Sequence, residues 1–356
     1  MKIGIITYYD VVNYGAVLLA YAMKRLFNDM GHEVVFLKYN REKSILSSKK
    51  TLYQRIRMMS PNAVKARRAE YFKTKKFELF RQENLKIGDN YNVPQDLDLI
   101  VVGSDQIFDC KYGFNDFQYA IHAACERVIS YAPSFGEFKV DDLEGFLKKD
   151  QLSLALRRFN AHSARDKNTQ NLLEILTGEK TQRVLDPTLL YGFEEEKETW
   201  NKRLIQDRYM IIYVWGGTTN SIEFRESVTA FARKNGLKTV TVGDRRPWCD
   251  IDFSSASPIE FFELFQYCDM VITNMFHGTC FSIINEKPFY SVVMPHNQNK
   301  LRDLLEFQGL SSQLIMDITF INAKEIPEID YVAISNILKE QQKKSKEYLM
   351  KSFKYT

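Results

Sequence analysis

The stretch Tyr267-Cys-Asp-Met-Val-Ile-Thr-Asn-Met-Phe-His-Gly-Thr-Cys-Phe-Ser-Ile-Ile284 decides the fold, because it joins a strand, a turn and a helix. Residues 270–273 predict a buried strand, residues 276–279 the turn at its carboxyl end, and residues 280–285 the start of a helix. In an open α/β sheet, ligands bind outside the carboxyl ends of the strands. A histidine there can exchange a proton near neutral pH. His277 is therefore a candidate functional residue, and a histidine that only caps the turn is the alternative.

Gly278 and Thr279 follow this histidine at the expected start of the helix. Backbone N–H groups at a helix start favour anions, and a glycine lets a ligand approach the backbone closely. The pair is therefore predicted to bind an anionic group of a substrate.

The composition is that of an ordinary soluble chain, long enough for two domains. It has 356 residues, of which 45% are hydrophobic, and a formal net charge of +4, too small to demand nucleic acid or another polyanion as partner. The five cysteines contain no Cys-x-x-Cys pair, so we expect a reducing cytoplasm, no zinc or other metal site, and no disulfide framework. Neither a signal peptide nor an apolar run of about 18 residues is visible, which favours a cytoplasmic protein.

Strands, polar loops and helices alternate along the chain in two series, as in a doubly wound sheet. The first series, residues 1–192, forms a predicted N-terminal Rossmann-like domain, and the second, residues 205–325, a C-terminal one. An acidic helical segment at 191–203 separates them. Residues 326–356 have apolar side chains at helical spacing and predict a C-terminal helix. The predicted fold class is α/β, with two Rossmann-like doubly wound domains facing a cleft.

Two loops of the first series are candidates for ligand contacts. The loop at residues 8–15 is longer than most βα loops and lacks the Gly-x-Gly-x-x-Gly fingerprint of dinucleotide sites. It places Asn13 and Gly15 where amide and backbone donors would face a ligand, although Asn13 is equally suited to cap the helix. The second loop, Ser104-Asp-Gln106, leaves the carboxyl end of another buried strand, and Asp105 is either a ligand contact or a helix cap.

Residues 41–86 form a basic segment with fourteen Lys or Arg against four acidic residues, interleaved with apolar residues. This pattern predicts one or two basic amphipathic helices inserted in the first domain. A charge run of this kind is often only a solvated face. The alternative is peripheral contact with an anionic membrane surface or with a phosphate-bearing acceptor. Nucleic acid is disfavoured, because no recognised binding module accompanies the charge.

A set of short motifs resembles the polysaccharide pyruvyl transferase family. They are Asn13-Tyr-Gly-Ala-Val-Leu-Leu-Ala-Tyr-Ala22, Gly103-Ser-Asp-Gln106, Tyr131-Ala-Pro-Ser-Phe-Gly136, Ser163-Ala-Arg165, Leu185-Asp-Pro-Thr188, Phe276-His-Gly-Thr279, Phe281-Ser282, Pro288-Phe289, Arg302-x-x-Leu305 and Gly309-Leu310. Each motif alone is weak. Their order along most of the chain makes the resemblance specific.

The resemblance implies a glycosyltransferase-B-like fold with a site in the cleft between the domains. It also implies transfer of a pyruvyl group from phosphoenolpyruvate to two hydroxyls of a sugar, which forms a cyclic ketal. The acceptor would be a polysaccharide or lipid-linked saccharide precursor. Such chemistry needs a proton donor or acceptor and cationic or backbone donors for the carboxylate and phosphate. It requires no metal or organic cofactor in principle.

Site roles follow from matching these motifs to that chemistry. His277 is the acid/base candidate, and Arg165 would make a bidentate contact to the carboxylate or phosphate of phosphoenolpyruvate. An ion pair of Arg165 with Asp166 or Asp186 is the structural alternative. The predicted substrate-binding residues are Asn13, Gly15, Ser104, Asp105, Gln106, Ser134, Gly278, Thr279 and Arg302.

The sequence departs from the family pattern beside the histidine, where Asn274 and Met275 replace the usual Asp and Ser. Asp166 also stands where Glu is usual. These departures leave two rivals open. One is a nucleotide-sugar-dependent glycosyltransferase of the same fold, and the other is a catalytically inactive saccharide- or phosphate-binding relative.

Overall fold

The computed structural model of the protein describes residues 1–39, 61–111, 113–293 and 298–354. The strands are β1 (Lys2–Ile6), β2 (Glu33–Lys38), β3 (Ile87–Asn90), β4 (Leu99–Val102), β5 (Val128–Ser130), β6 (Ser163–Ala164), β7 (Gln182–Arg183), β8 (Tyr209–Tyr213), β9 (Lys238–Val242), β10 (Ile251–Phe253), β11 (Met270–Thr273), β12 (Phe289–Val292) and β13 (Leu314–Ile315). The α-helices are α1 (Tyr14–Asp29), α2 (Pro61–Asn84), α3 (Lys149–Leu156), α4 (Lys167–Thr177), α5 (Pro187–Tyr191), α6 (Glu194–Thr199), α7 (Ile222–Lys234), α8 (Pro258–Tyr267), α9 (Phe276–Ile284), α10 (Gln298–Phe307) and α11 (Tyr331–Lys354).

Each half of the chain contains one parallel sheet. The strand order is β3-β2-β1-β4-β5 in the first sheet and β10-β9-β8-β11-β12-β13 in the second. The central strands are buried on both faces, as the apolar runs of β4 and β11 require. Both orders follow the doubly wound Rossmann pattern. The predicted α/β fold with two doubly wound sheets is therefore confirmed.

The strand order reverses between β1 and β4 in the first sheet and between β8 and β11 in the second. Such a reversal opens a crevice at the carboxyl ends of the strands, where ligands bind. The loops that leave these four strands begin with Thr7, Gly103, Val214 and Asn274. They carry most of the polar side chains that the sequence singled out.

The predicted turn at residues 276–279 is wrong, because helix α9 already begins at Phe276. The N–H of Met275 donates to the Thr273 hydroxyl at 3.0 Å just before the helix. A Cβ atom at residue 278 would lie 2.2 Å from Thr273 Oγ1 and 2.9 Å from Tyr213 Cδ1. Gly278 therefore lets the first turn of the helix pack against the ends of β8 and β11.

Helix α2 confirms that the basic segment is helical where the structure describes it; its residues 41–60 lie outside the described residues. The buried rings of Phe77 and Phe80 pack against Tyr14 and Tyr21 of α1. The Lys73 ammonium donates to the carbonyl of Gly243 at 3.1 Å. Lys76 pairs with Glu260 at 2.7 Å. One face of the basic helix is therefore an intramolecular contact.

Helix α11 connects the two halves at the end of the chain. Near its start, the hydroxyl of Tyr331 donates to the Lys287 carbonyl of the second half at 2.6 Å. Near its end, Tyr348 donates to the Ser130 carbonyl of the first half at 2.8 Å. Arg127 donates to the carbonyl of Phe353 at 2.8 Å. The predicted C-terminal helix is present and packs on both halves, and the proposed domain boundaries remain a prediction.

No helix in the described parts of the chain combines the length and the apolar character that crossing a membrane demands.

Candidate active site

A cleft of about 460 Å3 lies where the carboxyl ends of the two sheets face each other. Its lining combines carboxylates, amides, aromatic rings, one histidine and one lysine. The lining residues are Asn13, Asp105, Gln106, Asp109, Glu137, Tyr213, Trp215, Asn274, Met275, Phe276, His277 and Lys300. The first half contributes the carboxylates and the second half contributes the histidine and the lysine.

His277 lies in the first turn of α9 and is largely buried against the first half. Its Nε2 atom is 3.6 Å from Asp186 Oδ2. Its Nδ1 edge packs against Gly15, where a Cβ atom would lie only 2.2 Å from Nδ1. Gly15 was predicted to face a ligand. The structure instead gives it the role of letting helix α1 approach the imidazole closely.

Asp186 connects His277 to the first half. Its Oδ1 atom accepts hydrogen bonds from the N–H and the hydroxyl of Thr188 at 3.0 and 2.7 Å. Its Oδ2 atom accepts from Arg165 at 3.2 Å. Burial by itself raises the pKa of Asp186, but His277 and Arg165 outweigh it and hold the pKa well below the usual range. Asp186 is therefore a carboxylate that lies against the Nε2 edge of the histidine and orients the ring.

Arg165 is buried beneath the cleft and forms a second link between carboxylates. Besides Asp186, its guanidinium donates to Asp105 Oδ1 at 3.1 Å. Its Cζ atom lies 4.2 Å from the centre of the Phe276 ring, a cation–π distance. Burial lowers the pKa of Arg165, but the two carboxylates raise it overall. The ion pair with Asp186 that was the structural alternative is present, whereas Asp166 instead caps helix α4.

Asp105 lies at the cleft wall with a left-handed backbone, φ 62°. Burial raises the pKa of its carboxyl, but Arg165, His277 and Lys300 together lower it below the usual value. Asp105 is thus an ionised carboxylate that faces the cleft and is tied to Arg165. It does not cap a helix, which removes the alternative left open by the sequence.

Asn13 fills both roles that the sequence allowed. Its side-chain oxygen accepts from the Ala16 N–H at 3.2 Å and caps helix α1. The residue is exposed and lines the cleft, so its NH2 group is available to a ligand. Gln106, also predicted, lines the same wall.

The structure does not place five other predicted substrate-binding residues on the cleft wall. Ser104 is fully buried and its hydroxyl donates to the Ala132 carbonyl. Ser134 accepts from the Gly136 N–H, and the Thr279 hydroxyl lies 2.7 Å from that of Ser291. Gly278 supports helix packing, and Arg302 is exposed on α10 away from the cleft lining. Serine and threonine hydroxyls next to a site often form hydrogen bonds within the protein. Sequence alone does not distinguish this structural role from contact with a ligand.

Asn274, which departs from the family pattern, joins the ends of strands β8 and β11. Its side-chain oxygen accepts from the Trp215 N–H at 2.8 Å, and its NH2 group donates to the Trp215 carbonyl at 2.6 Å. Only an amide can both accept and donate here. The indole of Trp215 is 59% exposed and lines the cleft.

Sequence analysis missed four cleft residues: Asp109, Glu137, Tyr213 and Lys300. Asp109 and Glu137 follow the predicted Ser104-Asp-Gln106 and Ser134 motifs by three residues each. Their spacing was therefore an available signal. Lys300 is two residues from the predicted Arg302 on the same helix, and only the rotation of that helix decides which one faces the cleft. In the described residues, no group of three or more His, Cys, Asp or Glu side chains is arranged to bind a metal ion.

The sequence matches the model of the polysaccharide pyruvyl transferase family over residues 13–296. This span includes Asn13, the Asp105 loop, Arg165, Asp186 and His277. A comparison with curated proteins finds no match.

Solved structures with a similar fold include enzymes that act on nucleotide sugars. The UDP-GlcNAc 2-epimerase of Neisseria meningitidis, solved with bound UDP-GlcNAc, is 10% identical, with 99% of this chain and 100% of that chain covered and a TM-score of 0.52. The UDP-GlcNAc 2-epimerase of Methanocaldococcus jannaschii is 10% identical, with 95% and 92% covered and a TM-score of 0.47. A glycosyltransferase of Streptomyces nogalater is 13% identical, with 99% of each chain covered and a TM-score of 0.45. The first likeness shows the fold, which is glycosyltransferase-B-like.

Proposed function

The chain belongs to the polysaccharide pyruvyl transferase family, and from this premise we propose that it transfers a pyruvyl group from phosphoenolpyruvate to two hydroxyls of a saccharide. The acceptor is a polysaccharide or lipid-linked saccharide precursor. The observation that carries the proposal is the pairing of His277 with Asp186 at the wall of the cleft, inside the matched region. It supplies the proton exchange that this reaction needs and that simple binding does not.

The proposed reaction begins with protonation of the methylene carbon of phosphoenolpyruvate. The enol carbon then has oxocarbenium character, one sugar hydroxyl attacks it, and the C–O bond to phosphate breaks. A second hydroxyl attacks the same carbon and closes the ketal. The two hydroxyl protons are balanced by one proton gained at the new methyl group and one that leaves with phosphate. Proton transfer at a fixed position contributes a factor of roughly 10² to 10⁴ in rate.

His277 is the proposed acid and base in these steps. Its Nε2 edge faces the Asp186 carboxylate and its Nδ1 edge faces Gly15 between the two halves. We assign Nδ1 as the nitrogen that exchanges the proton, with Asp186 holding the opposite edge.

The acceptor saccharide is proposed to lie along the first-half wall. Asp105, Asp109 and Glu137 supply carboxylate oxygens that accept from sugar hydroxyls, and Asn13 and Gln106 add amide donors. The Trp215 ring also lines this space. The carboxylates would repel phosphoenolpyruvate, so the donor belongs on the opposite wall.

Peripheral contact with an anionic membrane remains part of the proposal. Tyr71 and Phe72 are 59% and 47% exposed on α2, and the Arg68 guanidinium lies 5.6 Å from the centre of the Phe72 ring. Exposed aromatic rings among basic side chains are typical of surfaces that bind the membrane interface. Such a surface would bring a lipid-linked acceptor to the cleft at the inner face of the membrane.

The membrane contact is tested by flotation with vesicles that contain anionic lipid. Replacing Arg67, Arg68 and Lys75 by Gln should reduce the bound fraction, because each basic residue near the surface contributes about 1 kcal/mol. Replacing the exposed Lys339, Lys343 and Lys346 of α11 by Gln is the matched control and should leave binding unchanged. Equal binding by both variants would mean that the exposed face of α2 is only solvated.

The reaction is tested by incubating the protein with phosphoenolpyruvate labelled in its pyruvyl carbons and with lipid-linked saccharides extracted from bacterial membranes. The proposal predicts label in an acid-labile adduct on the saccharide, together with release of inorganic phosphate. His277→Gln should remove both signals. Saccharide modification that requires a nucleotide sugar and ignores phosphoenolpyruvate would establish the rival glycosyltransferase instead.

A further inference from the structure

The amino end of helix α1 reaches from the first half of the protein into the second. Tyr14, the first residue of α1, is 1% exposed. Its hydroxyl donates to the carbonyl of Ala256 in the second half at 2.8 Å. Its ring stacks on Phe261 of α8, with the ring centres 4.4 Å apart and the planes 10° from parallel. A side chain of the first half is therefore inserted into the core of the second.

Tyr14 lies between two residues that reach the site. Asn13, just before it, lines the cleft, and Gly15, just after it, packs against the His277 imidazole. Adjacent Cα atoms are held about 3.8 Å apart by the covalent chain. The contacts of Tyr14 with the second half therefore determine how closely this part of the first half approaches His277.

Three further side chains pack around the Tyr14 ring. Tyr213, which lines the cleft, lies edge-on at 6.1 Å between ring centres. Phe77 of α2 lies at 4.9 Å. The ammonium of the buried Lys73, also on α2, is 5.4 Å from the centre of the ring. Close packing of this kind leaves an inserted ring little freedom to move.

The inner face of α2 supports the same region through its basic side chains. The Lys73 ammonium, besides facing the Tyr14 ring, donates to the carbonyl of Gly243 in the second half at 3.1 Å. Two turns further along, the Arg81 guanidinium donates to the carbonyl of Val11, in the loop before α1, at 3.3 Å. The basic helix thus holds both the loop that leads into Tyr14 and the second-half backbone beside its ring.

We propose that Tyr14 is a positioning residue that sets the separation between the two walls of the cleft, with Lys73 of α2 supporting its ring. The inference rests on the proposed function. Tyr14 is buried outside the described cleft lining, so it acts on the reaction through Asn13, Gly15 and His277 rather than on a substrate. The transfer requires a sugar hydroxyl, the enol carbon and the acid to meet in one geometry. Misplacement by about 1 Å costs about 10²-fold in rate.

The test compares two buried tyrosines in the full-length protein. Tyr14→Phe keeps the ring and removes the hydrogen bond between the halves. Tyr209→Phe is the matched control, because the buried Tyr209 hydroxyl donates to the Leu264 carbonyl at 2.7 Å within the second half. Each variant loses one buried hydroxyl–carbonyl hydrogen bond, so their urea midpoints should fall by similar amounts.

The two variants should differ in the labelled phosphoenolpyruvate assay. Turnover should fall about threefold to tenfold for Tyr14→Phe, which corresponds to the contribution of one hydrogen bond. The KM for phosphoenolpyruvate should stay unchanged, because Tyr14 does not contact the substrate. Tyr209→Phe should turn over like the wild type.

A second pair of variants tests the support from α2. Lys73→Met keeps most of the aliphatic side chain and removes the ammonium, and it should lower turnover in the same way as Tyr14→Phe. Lys24→Met is its control. The Lys24 ammonium also donates to a backbone carbonyl, that of Asn84 at 2.6 Å, but this bond joins α1 to α2 within the first half. Lys24→Met should keep the wild-type turnover.

Amide hydrogen exchange followed by mass spectrometry tests the contact without any substrate. Peptides that cover residues 8–18 should exchange about threefold to tenfold faster in Tyr14→Phe, because the amino end of α1 opens more often when its bond to the second half is lost. The same peptides should keep the wild-type exchange rate in Tyr209→Phe.

The outcomes separate this inference from the proposed function. A wild-type protein without phosphoenolpyruvate-dependent transfer overturns the proposed function, whereas wild-type exchange rates in Tyr14→Phe overturn the role of Tyr14 in holding the two halves. Wild-type turnover in Tyr14→Phe, or an equal loss in Tyr209→Phe, overturns the positioning role and leaves the pyruvyl transfer standing. A raised KM with unchanged turnover also overturns it, because Tyr14 would then act in substrate binding.

Discussion

Replacing Arg165 by Met is expected to destabilise the protein rather than only to weaken donor binding. The guanidinium donates to Asp105 at 3.1 Å and to Asp186 at 3.2 Å, and it lies 4.2 Å from the centre of the Phe276 ring. Each hydrogen bond to a charged group contributes about 1.5–3 kcal/mol. Removing one member of a buried ion pair costs about 3–5 kcal/mol, because the partner charge is left uncompensated. We expect a loss in that range.

The assay is urea unfolding followed by circular dichroism without ligand. With a slope of about 3 kcal/mol/M, this loss lowers the midpoint of the transition by about 1 M or more. Arg208→Met is the matched control, because Arg208 pairs with Asp269 at 2.9 Å on the surface. Exposed pairs contribute at most about 1 kcal/mol. The control should therefore unfold close to the wild type.

A double-mutant cycle with Asp186→Asn measures the coupling between Arg165 and Asp186 directly. If the two side chains form the pair described, the second substitution should cost less in the Arg165→Met background than in the wild type, with a coupling of about 0.5–3 kcal/mol. An Arg165→Met protein that keeps the wild-type midpoint but loses affinity for phosphoenolpyruvate would refute this account. It would show that Arg165 is a ligand-binding residue, as the sequence first suggested.

Three further predictions concern the catalytic residue, the β8–β11 link and the response to acid. His277→Gln should reduce turnover by roughly 10² to 10⁴ with little change in the urea midpoint; full turnover would exclude proton transfer by His277. Asn274→Asp, which restores the residue usual in the family, should cost about 1–3 kcal/mol in unfolding free energy, because a carboxylate cannot donate to the Trp215 carbonyl at 2.6 Å; an unchanged unfolding curve would contradict this. Burial lowers the pKa of His162 from 6.5 to about 4, so the folded protein binds this proton less readily than the unfolded chain. The stabilisation that comes from keeping His162 neutral is complete above pH 6.5 and is lost as the pH falls to about 4. At 1.36 kcal/mol per pH unit, the total loss of unfolding free energy is about 3 kcal/mol. His162→Gln should therefore make the unfolding free energy depend less on pH in this window than it does in the wild type.

The central elements of the fold were predictable, because their patterns are local. The apolar runs of β4 and β11 predicted buried parallel strands. The start of helix α8 is local in the same sense, since Ser257 and Glu260, three residues apart, form a capping box there. His277 was also found correctly at the cleft, because the carboxyl end of a central strand is where an α/β sheet binds its ligand. These inferences need no knowledge of distant contacts.

The remaining site geometry depends on contacts between residues that are distant in the chain. Four separate loops and helix starts are joined by the contacts among Asp105, Arg165, Asp186 and His277. No sequence periodicity reveals which carboxylate contacts which basic side chain. Gly15 illustrates the same difficulty. Its lack of a side chain matters because of the His277 imidazole, which lies more than 260 residues away in sequence. Motif matching located these residues, but only the packing of the two sheets assigned their partners.

The central claim, that the donor is phosphoenolpyruvate, is tested most directly by calorimetric titration of the wild-type protein with phosphoenolpyruvate and, in parallel, with UDP-GlcNAc. The account predicts saturable binding of phosphoenolpyruvate at one site per chain. It predicts no competition by UDP-GlcNAc. Tight binding of the nucleotide sugar together with no binding of phosphoenolpyruvate would contradict the account and leave only the fold and the family membership.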